Sequence, residues 1–310
     1  MNNSILDDFK IAFRTGNILN QLIIINVVVF IVFLLLGLVL RVGQQDLLLF
    51  NIESLFAFDP RLDELIYKPW SFITYGFTHF NFFHILINLL ILYWFGRIIT
   101  DFLGQNKLLG LYVWGVIAGA LLYIVLYNIF PSVEVLGGAN PRMIGASAGV
   151  YAVVVGAAVF QPNFSMSFIL IGPVKIKYVA AVIVILSLSG VTGDNSGGNI
   201  AHLGGALVGY LAMSQLQRGN DWSKPVVQFV TWVKSLFKPQ PKIKVSYRSE
   251  RKSSTQKKAT SSSRKAKSAP STSSVTPQEE IDAILDKISE RGYDALTKEE
   301  KQKLFNASKD

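Results

Sequence analysis

Ile18–Leu40 is a run of 23 residues broken by no polar side chain other than Asn20, Gln21 and Asn26. As a helix it is long enough to cross a bilayer core of about 30 Å, and few soluble domains could bury a segment so apolar. Lys10 and Arg14 precede it, as basic residues precede a signal peptide. The run is too long for such a leader and no small-x-small cleavage site follows, so it reads as an uncleaved span. Further apolar runs lie at Phe82–Ile99, Leu108–Phe130, Ser147–Gln161, Tyr178–Gly190 and Ile200–Leu216. The fourth and fifth of the six are shorter than an ordinary span. They count as membrane helices because the other runs leave no workable topology without them. The expected fold is an all-α polytopic bundle of six transmembrane helices over residues 18–217.

Composition agrees: 50% of the 310 residues are hydrophobic and 16% charged, against about 25% charged in a typical soluble domain. The formal net charge of +9 is segregated. Residues 1–217 hold ten basic and ten acidic residues, whereas residues 218–275 hold fourteen basic residues against Asp221 and Glu250. The excess belongs to a tail, so it is no argument for nucleic-acid binding. It does orient the bundle. With residues 1–17 as a cytoplasmic N-terminus, the inner segments carry Lys10, Arg14, Arg97, Lys107, Lys175, Lys177 and the whole tail, and the outer ones Arg41, Arg61, Lys68 and Arg142. Both termini are expected on the cytoplasmic side of the cell membrane.

Residues 218–275 read as a basic Ser/Lys-rich linker, disordered over Lys238–Val275, either simply solvated or drawn to anionic lipid headgroups. Residues 276–310 read as a small helical hairpin opened by two capping boxes, Thr276-Pro277-Gln278-Glu279 and Thr297-Lys298-Glu299-Glu300. Its apolar face is Ile281, Ile284, Leu285 and Ile288, with Leu304 and Phe305 placed to close on it. The chain has no cysteine, which removes disulfides, thiolate metal sites and a cysteine nucleophile.

Polar groups in hydrocarbon are costly and therefore mark function. His84 and Asn88 are four apart on one face of the second span, with His79 about a turn before them. Ser147 opens the fourth span within Gly145-Ala146-Ser147-Ala148-Gly149, and His202 lies just inside the sixth. All these spans start from the outer face, so the four residues His84, Asn88, Ser147 and His202 share a depth. A fourth span of about 15 residues covers roughly 22 Å, which puts Ser147 at the floor of a cavity that water can enter. A serine hydroxyl with an imidazole base suits acyl transfer, and no carboxylate occurs in the second, fourth or sixth span to make a triad. The start of a helix offers free N–H groups and a positive dipole end to an oxyanion, and His84 and Asn88 can add donors. Tyr151 could pack on the imidazole and hold its plane. Gly205 and Gly209 let the sixth helix approach another backbone closely.

At these residues the chain resembles the rhomboid intramembrane serine proteases. The shared pattern is His79-x4-His84-x3-Asn88 on the second span, Gly145-x-Ser147 with Tyr151 on the fourth, and Ala201-His202 with Gly205-x3-Gly209 on the sixth. The resemblance covers roughly residues 18–217. It implies that Ser147 is the nucleophile, His202 the base, His84 and Asn88 oxyanion donors, and Tyr151 a stacking partner of His202. It also implies cleavage of transmembrane protein substrates at small, helix-destabilising sites within the lipid bilayer, with neither metal nor nucleotide. Two positions depart from the common pattern: Trp70-Ser71 stands where many members have Trp-Arg, and Ala148 follows the serine where many have glycine.

Other readings explain less. Gly-x-Ser-x-Gly also marks the nucleophile elbow of α/β-hydrolases, but that motif needs a preceding strand and a soluble sheet. No His-Glu-x-x-His is present for a metalloprotease, and no inverted repeat or broken-helix pair for a transporter. His79 reads as structural or as a holder of water. A rhomboid-like factor that binds or escorts membrane proteins without cutting them is the non-enzymatic alternative, and such relatives are expected to lack the serine or the histidine. The short fifth span and the Gly190–Gly198 loop read as a gate and its cap.

Overall fold

The computed structural model describes residues 17–130, 141–168, 172–193, 195–237, 277–291 and 295–307. Contacts divide the chain into two units, Met1–Pro241 and Lys242–Asp310.

The first unit is helical. Helix α1 (Ile18–Val42) begins at Asn17, whose side chain accepts the Asn20 N–H. Three short helices follow, α2 (Asp46–Phe56), α3 (Leu62–Tyr67) and α4 (Ser71–Thr74), and α4 runs into a 3-10 turn at Tyr75–Phe77. Then come α5 (Phe82–Leu103), α6 (Gln105–Ile129) and α7 (Ser147–Phe160). A two-stranded hairpin, β1 (Ser165–Phe168) with β2 (Gly172–Lys175), pairs Ser165 with Lys175 and Phe168 with Gly172. It leads into α8 (Ile176–Ser189), α9 (Ser196–Gln217) and α10 (Ser223–Leu236).

Helices therefore stand at all six apolar runs. Three of them, α1, α5 and α6, are long and apolar enough to cross a membrane, while α7 and α8 are apolar but have 14 residues each. The protein is a membrane protein. Its outward faces are too continuously apolar for water, as at Val32, Leu34 and Leu38 of α1 and Val182, Ile185 and Leu188 of α8, all more than half exposed.

Helix α7 forms the centre, packed chiefly between α6 and α9. Its small residues make this possible: Ala148, Gly149, Ala152, Gly156 and Ala157 are all buried. The partner face of α9 supplies Gly205 and Gly209, where a Cβ would collide with the carbonyl oxygens of Ala148 and Ala152 respectively. Without a hydrophobic force between helices in lipid, this closeness supplies the dispersion contacts that hold the bundle.

Two elements differ from the sequence reading. The β1–β2 hairpin was not anticipated. Within residues 218–275, read as linker, Ser223–Leu236 instead form α10, packed on α6 with Val226 buried. Lys107 Nζ donates to Asp221 Oδ2 at 2.5 Å and to Ser223 Oγ at 3.3 Å, and Trp114 Nε1 donates to the Trp222 carbonyl at 2.7 Å. The high charge of the whole stretch hides the helical spacing of Val226, Val230 and Val233. The linker expectation over Lys238–Val275, the orienting Lys10 and Arg14, and the Thr276 cap lie outside the described residues.

In the second unit, α11 (Pro277–Arg291) packs against α12 (Lys298–Ala307). Ile284 and Leu296 are buried while Leu285 is exposed. The capping box at α12 closes in both directions: Thr297 N–H donates to Glu300 Oε2 at 2.7 Å and Glu300 N–H to Thr297 Oγ1 at 3.3 Å. Lys287 bonds Glu300 at 2.8 Å. The Phe305 side chain lies outside the described residues.

Candidate active site

The turn before α7 is fixed from three sides. Met143 forms a two-way backbone bridge with Phe58, at 2.9 and 3.0 Å. Gly145 N–H donates to the Tyr75 carbonyl at 2.9 Å, and Ala146 N–H donates to His79 Nε2 at 3.1 Å. His79 is fully buried, with its Nε2 taken up by the Ala146 N–H. Gly145 has φ +118°, a left-handed conformation, and a Cβ there would lie 2.7 Å from His84 Cε1. Only glycine meets both conditions.

This turn delivers Ser147 to the first position of α7. No side chain caps that end, and the N–H groups of Ser147, Ala148 and Gly149 make no hydrogen bond among the described residues. Three donors and the positive end of the helix dipole thus converge beside the serine hydroxyl. From α9, His202 Nε2 stands 2.7 Å from Ser147 Oγ. Tyr151, one turn along α7, stacks on the His202 ring with centroids 4.2 Å apart and planes 12° from parallel. Ala148 is 1% exposed, its methyl accommodated against Gly119 of α6.

Helix α5 presents the other pair. Asn81 caps it by accepting the His84 N–H at 3.0 Å, which fixes the turn that carries His84. The His84 ring lies on Gly145 and meets His79 edge to face at 5.0 Å. Asn88 is buried and donates one amide proton to the His84 carbonyl at 2.8 Å. An amide nitrogen has two protons, so one remains.

Sequence reasoning missed Ser187 of α8. It is 2% exposed, and its Oγ lies 3.0 Å from His202 Nδ1 and 2.8 Å from the Tyr151 hydroxyl. The available signal was positional: Ile176, Ala180 and Ser187 are the buried residues of α8, and the spacing i, i+4, i+11 places them on one face.

An ionic cluster ties the loop between α2 and α3 to the stretch before α7. Arg61 holds Asp59 through two side-chain bonds at 2.9 and 2.6 Å, and Arg142 Nε lies 3.7 Å from Asp59. Arg142 also bonds Ser54 and stacks 4.5 Å from the Phe50 ring. Burial works against the Asp59 charge, but the Arg61 hydrogen bonds and the charges of Arg61 and Arg142 outweigh it and hold the carboxyl below its usual range. At the variant Trp70-Ser71 pair, Trp70 Nε1 donates to the Leu55 carbonyl at 2.7 Å, and Ser71 is buried.

Fold and site together define a polytopic helical membrane protein with a cluster of polar side chains in contact inside an apolar bundle. Residues 67–218, just under half of the chain, match the family model described as the Rhomboid domain. The matched stretch begins after α1 and α2 and ends with α9. RHOMBOID-like protein 12, mitochondrial, of Arabidopsis thaliana is 28% identical over 157 residues, 48% of this chain and 47% of that protein. The match thus spans about half the length of this curated relative. Residues 273–310 match a family of unknown function, DUF6576.

Proposed function

We propose that this protein is an intramembrane serine endopeptidase that hydrolyses peptide bonds in or near transmembrane segments of membrane proteins. The supporting observation is the 2.7 Å approach of His202 Nε2 to Ser147 Oγ at an uncapped helix start. In this reading six helices cross the cell membrane, both termini are cytoplasmic, and the pocket opens to the outer face.

Ser147 Oγ attacks the scissile carbonyl carbon as its proton passes to His202 Nε2. The carbonyl oxygen gains the negative charge and is held by the free N–H groups at the start of α7, with His84 and the second Asn88 proton as further donors. Collapse of the tetrahedral species breaks the C–N bond, and His202 returns its proton to the leaving amine. Water entering from outside then attacks the Ser147 ester, giving its proton to His202, and collapse restores Ser147 as the new carboxyl end departs. Tyr151 keeps the imidazole plane constant through both halves.

Fluorophosphonate labelling of the purified protein, alongside cleavage of a transmembrane reporter in detergent and in bilayers, tests this reading. The wild type is expected to label and cut, and Ser147→Ala to do neither. A wild type that neither labels nor cuts would overturn it in favour of a non-catalytic binding or escort role.

A further inference from the structure

Hydrogen-bond donors and acceptors around His202 can be placed by following the chain of contacts from its far end. The Ile183 carbonyl can only accept, and the Tyr151 hydroxyl lies 3.3 Å from it. Tyr151 therefore spends its single proton on Ile183 and accepts from the Ser187 hydroxyl at 2.8 Å. With its own proton committed, Ser187 Oγ can only accept at its 3.0 Å contact with His202 Nδ1. A neutral imidazole carries one proton, so that proton sits on Nδ1. Nε2 is left as a bare acceptor 2.7 Å from Ser147 Oγ, the form a general base requires.

We propose that Ser187 is a positioning residue of the site: it takes the His202 Nδ1 proton into a hydrogen bond and so selects the tautomer that can accept from Ser147. The proposal rests on the protease reading of the Ser147–His202 pair and adds to it a neutral third group, where many serine hydrolases use a carboxylate. The observation that carries it is the uninterrupted polarity of the chain Ser147–His202–Ser187–Tyr151–Ile183. Both Ser187 and Ile183 belong to α8, so the base is set while α8 is docked against α7 and α9.

The test uses the full chain in detergent micelles, with nitrogen-15 in its histidines. Three imidazoles make the spectrum assignable by single substitutions. The wild type is expected to show His202 protonated at Nδ1, and Ser187→Ala a mixture of both tautomers. Ser187→Ala should lower kcat on a transmembrane reporter about tenfold, the scale of one neutral hydrogen bond, with little change in KM. Ser187→Thr, which keeps the hydroxyl, should restore most of that loss. Tyr151→Phe keeps the stacked ring but frees the Ser187 proton to donate to Nδ1, and is expected to shift His202 toward the Nε2-protonated form.

An unchanged tautomer in both Ser187→Ala and Tyr151→Phe would overturn the proposal, as would a Ser187→Ala enzyme with wild-type kcat. Should Ser187→Ala fail to fold, Tyr151→Phe alone decides by its spectrum. If the wild type neither labels nor cuts, the protease reading fails, and the spectra still decide whether Ser187 sets the tautomer.

Discussion

Helices α7 and α8 have the same length, 14 residues, and similarly apolar sequences, yet they sit in the protein in opposite ways. Nine residues of α7 are buried, all of them alanine, glycine or valine; α8 buries Ile176, Ala180 and Ser187 and turns Val182, Ile185, Leu186 and Leu188 outward. Side-chain size accounts for the difference. Small residues let α6 and α9 close onto α7 at backbone distance, whereas Val182, Ile185, Leu186 and Leu188 suit a lipid-facing helix held on one narrow stripe. The helix carrying the candidate nucleophile is clamped. The helix carrying the group behind the candidate base is attached lightly, and its inward hydroxyl is the polar part of that attachment.

Four substitutions can break or sharpen this contrast. The largest effect is expected at the α7–α9 contact, where Gly205→Val drives a side chain into the Ala148 carbonyl and should cost about 3 kcal/mol or more. A thermal unfolding midpoint close to the wild type would show that α7 is not clamped. Next, in the proposed mechanism Asn88→Ala removes a donor to transition-state charge, so turnover should fall about 100-fold while the unfolding midpoint moves little. Parallel losses of turnover and stability would make Asn88 a structural residue of the clamp instead.

Third, Asp59→Asn loosens the loop bridged to the turn before α7, with an expected cost of about 1–2 kcal/mol at neutral pH. The sign follows from linkage. The Asp59 carboxyl titrates below its ordinary value of 3.8, so its contribution is fully present above that value and disappears as pH falls through the lower folded-state one. Unfolding midpoints of wild type and variant should therefore converge on acidification, and a gap that persists at the lowest pH would assign the effect to packing. The smallest effect is expected on the outer face of α8. Ile185, 63% exposed, should tolerate alanine within about 0.5 kcal/mol, as surface positions generally do. A larger loss in unfolding measurements would mean that α8 is held by more than its inner stripe.

The same contrast explains what the sequence discloses. The six apolar helices, the shortness of the fourth, and the polar residues Ser147, His202, His84 and Asn88 they carry are legible because a polar side chain in an apolar run has few inexpensive explanations. Ser187 escapes the same logic. A serine near the end of an apolar helix, beside Ser189, can satisfy itself on the preceding turn as Ser189 does on the Leu186 carbonyl at 2.8 Å. Nothing short of the packed bundle shows that Ser187 turns to His202 instead. Helix α10 escapes for another reason: averaging charge over residues 218–275 buries a short amphipathic segment inside a basic composition. The β1–β2 hairpin rests on four residues a side, too few for an alternating pattern to stand out.

The bridge between Phe58 and Met143, with the Tyr75 and His79 contacts to Gly145 and Ala146, has a consequence for biogenesis. The turn that presents Ser147 is built on residues about 70 to 85 positions upstream, and His202 arrives 55 positions downstream. Such distant closures form late relative to individual helices. On the proposed mechanism, a nascent chain threaded into the bilayer as far as Ser147 carries the serine without its base, and one that has lost the segment between α1 and α5 carries both without the turn. In the proposed reading, the protein acquires its chemistry in a single late step, after its helices have been inserted. Partial products of synthesis or degradation would then be inert toward the membrane proteins around them.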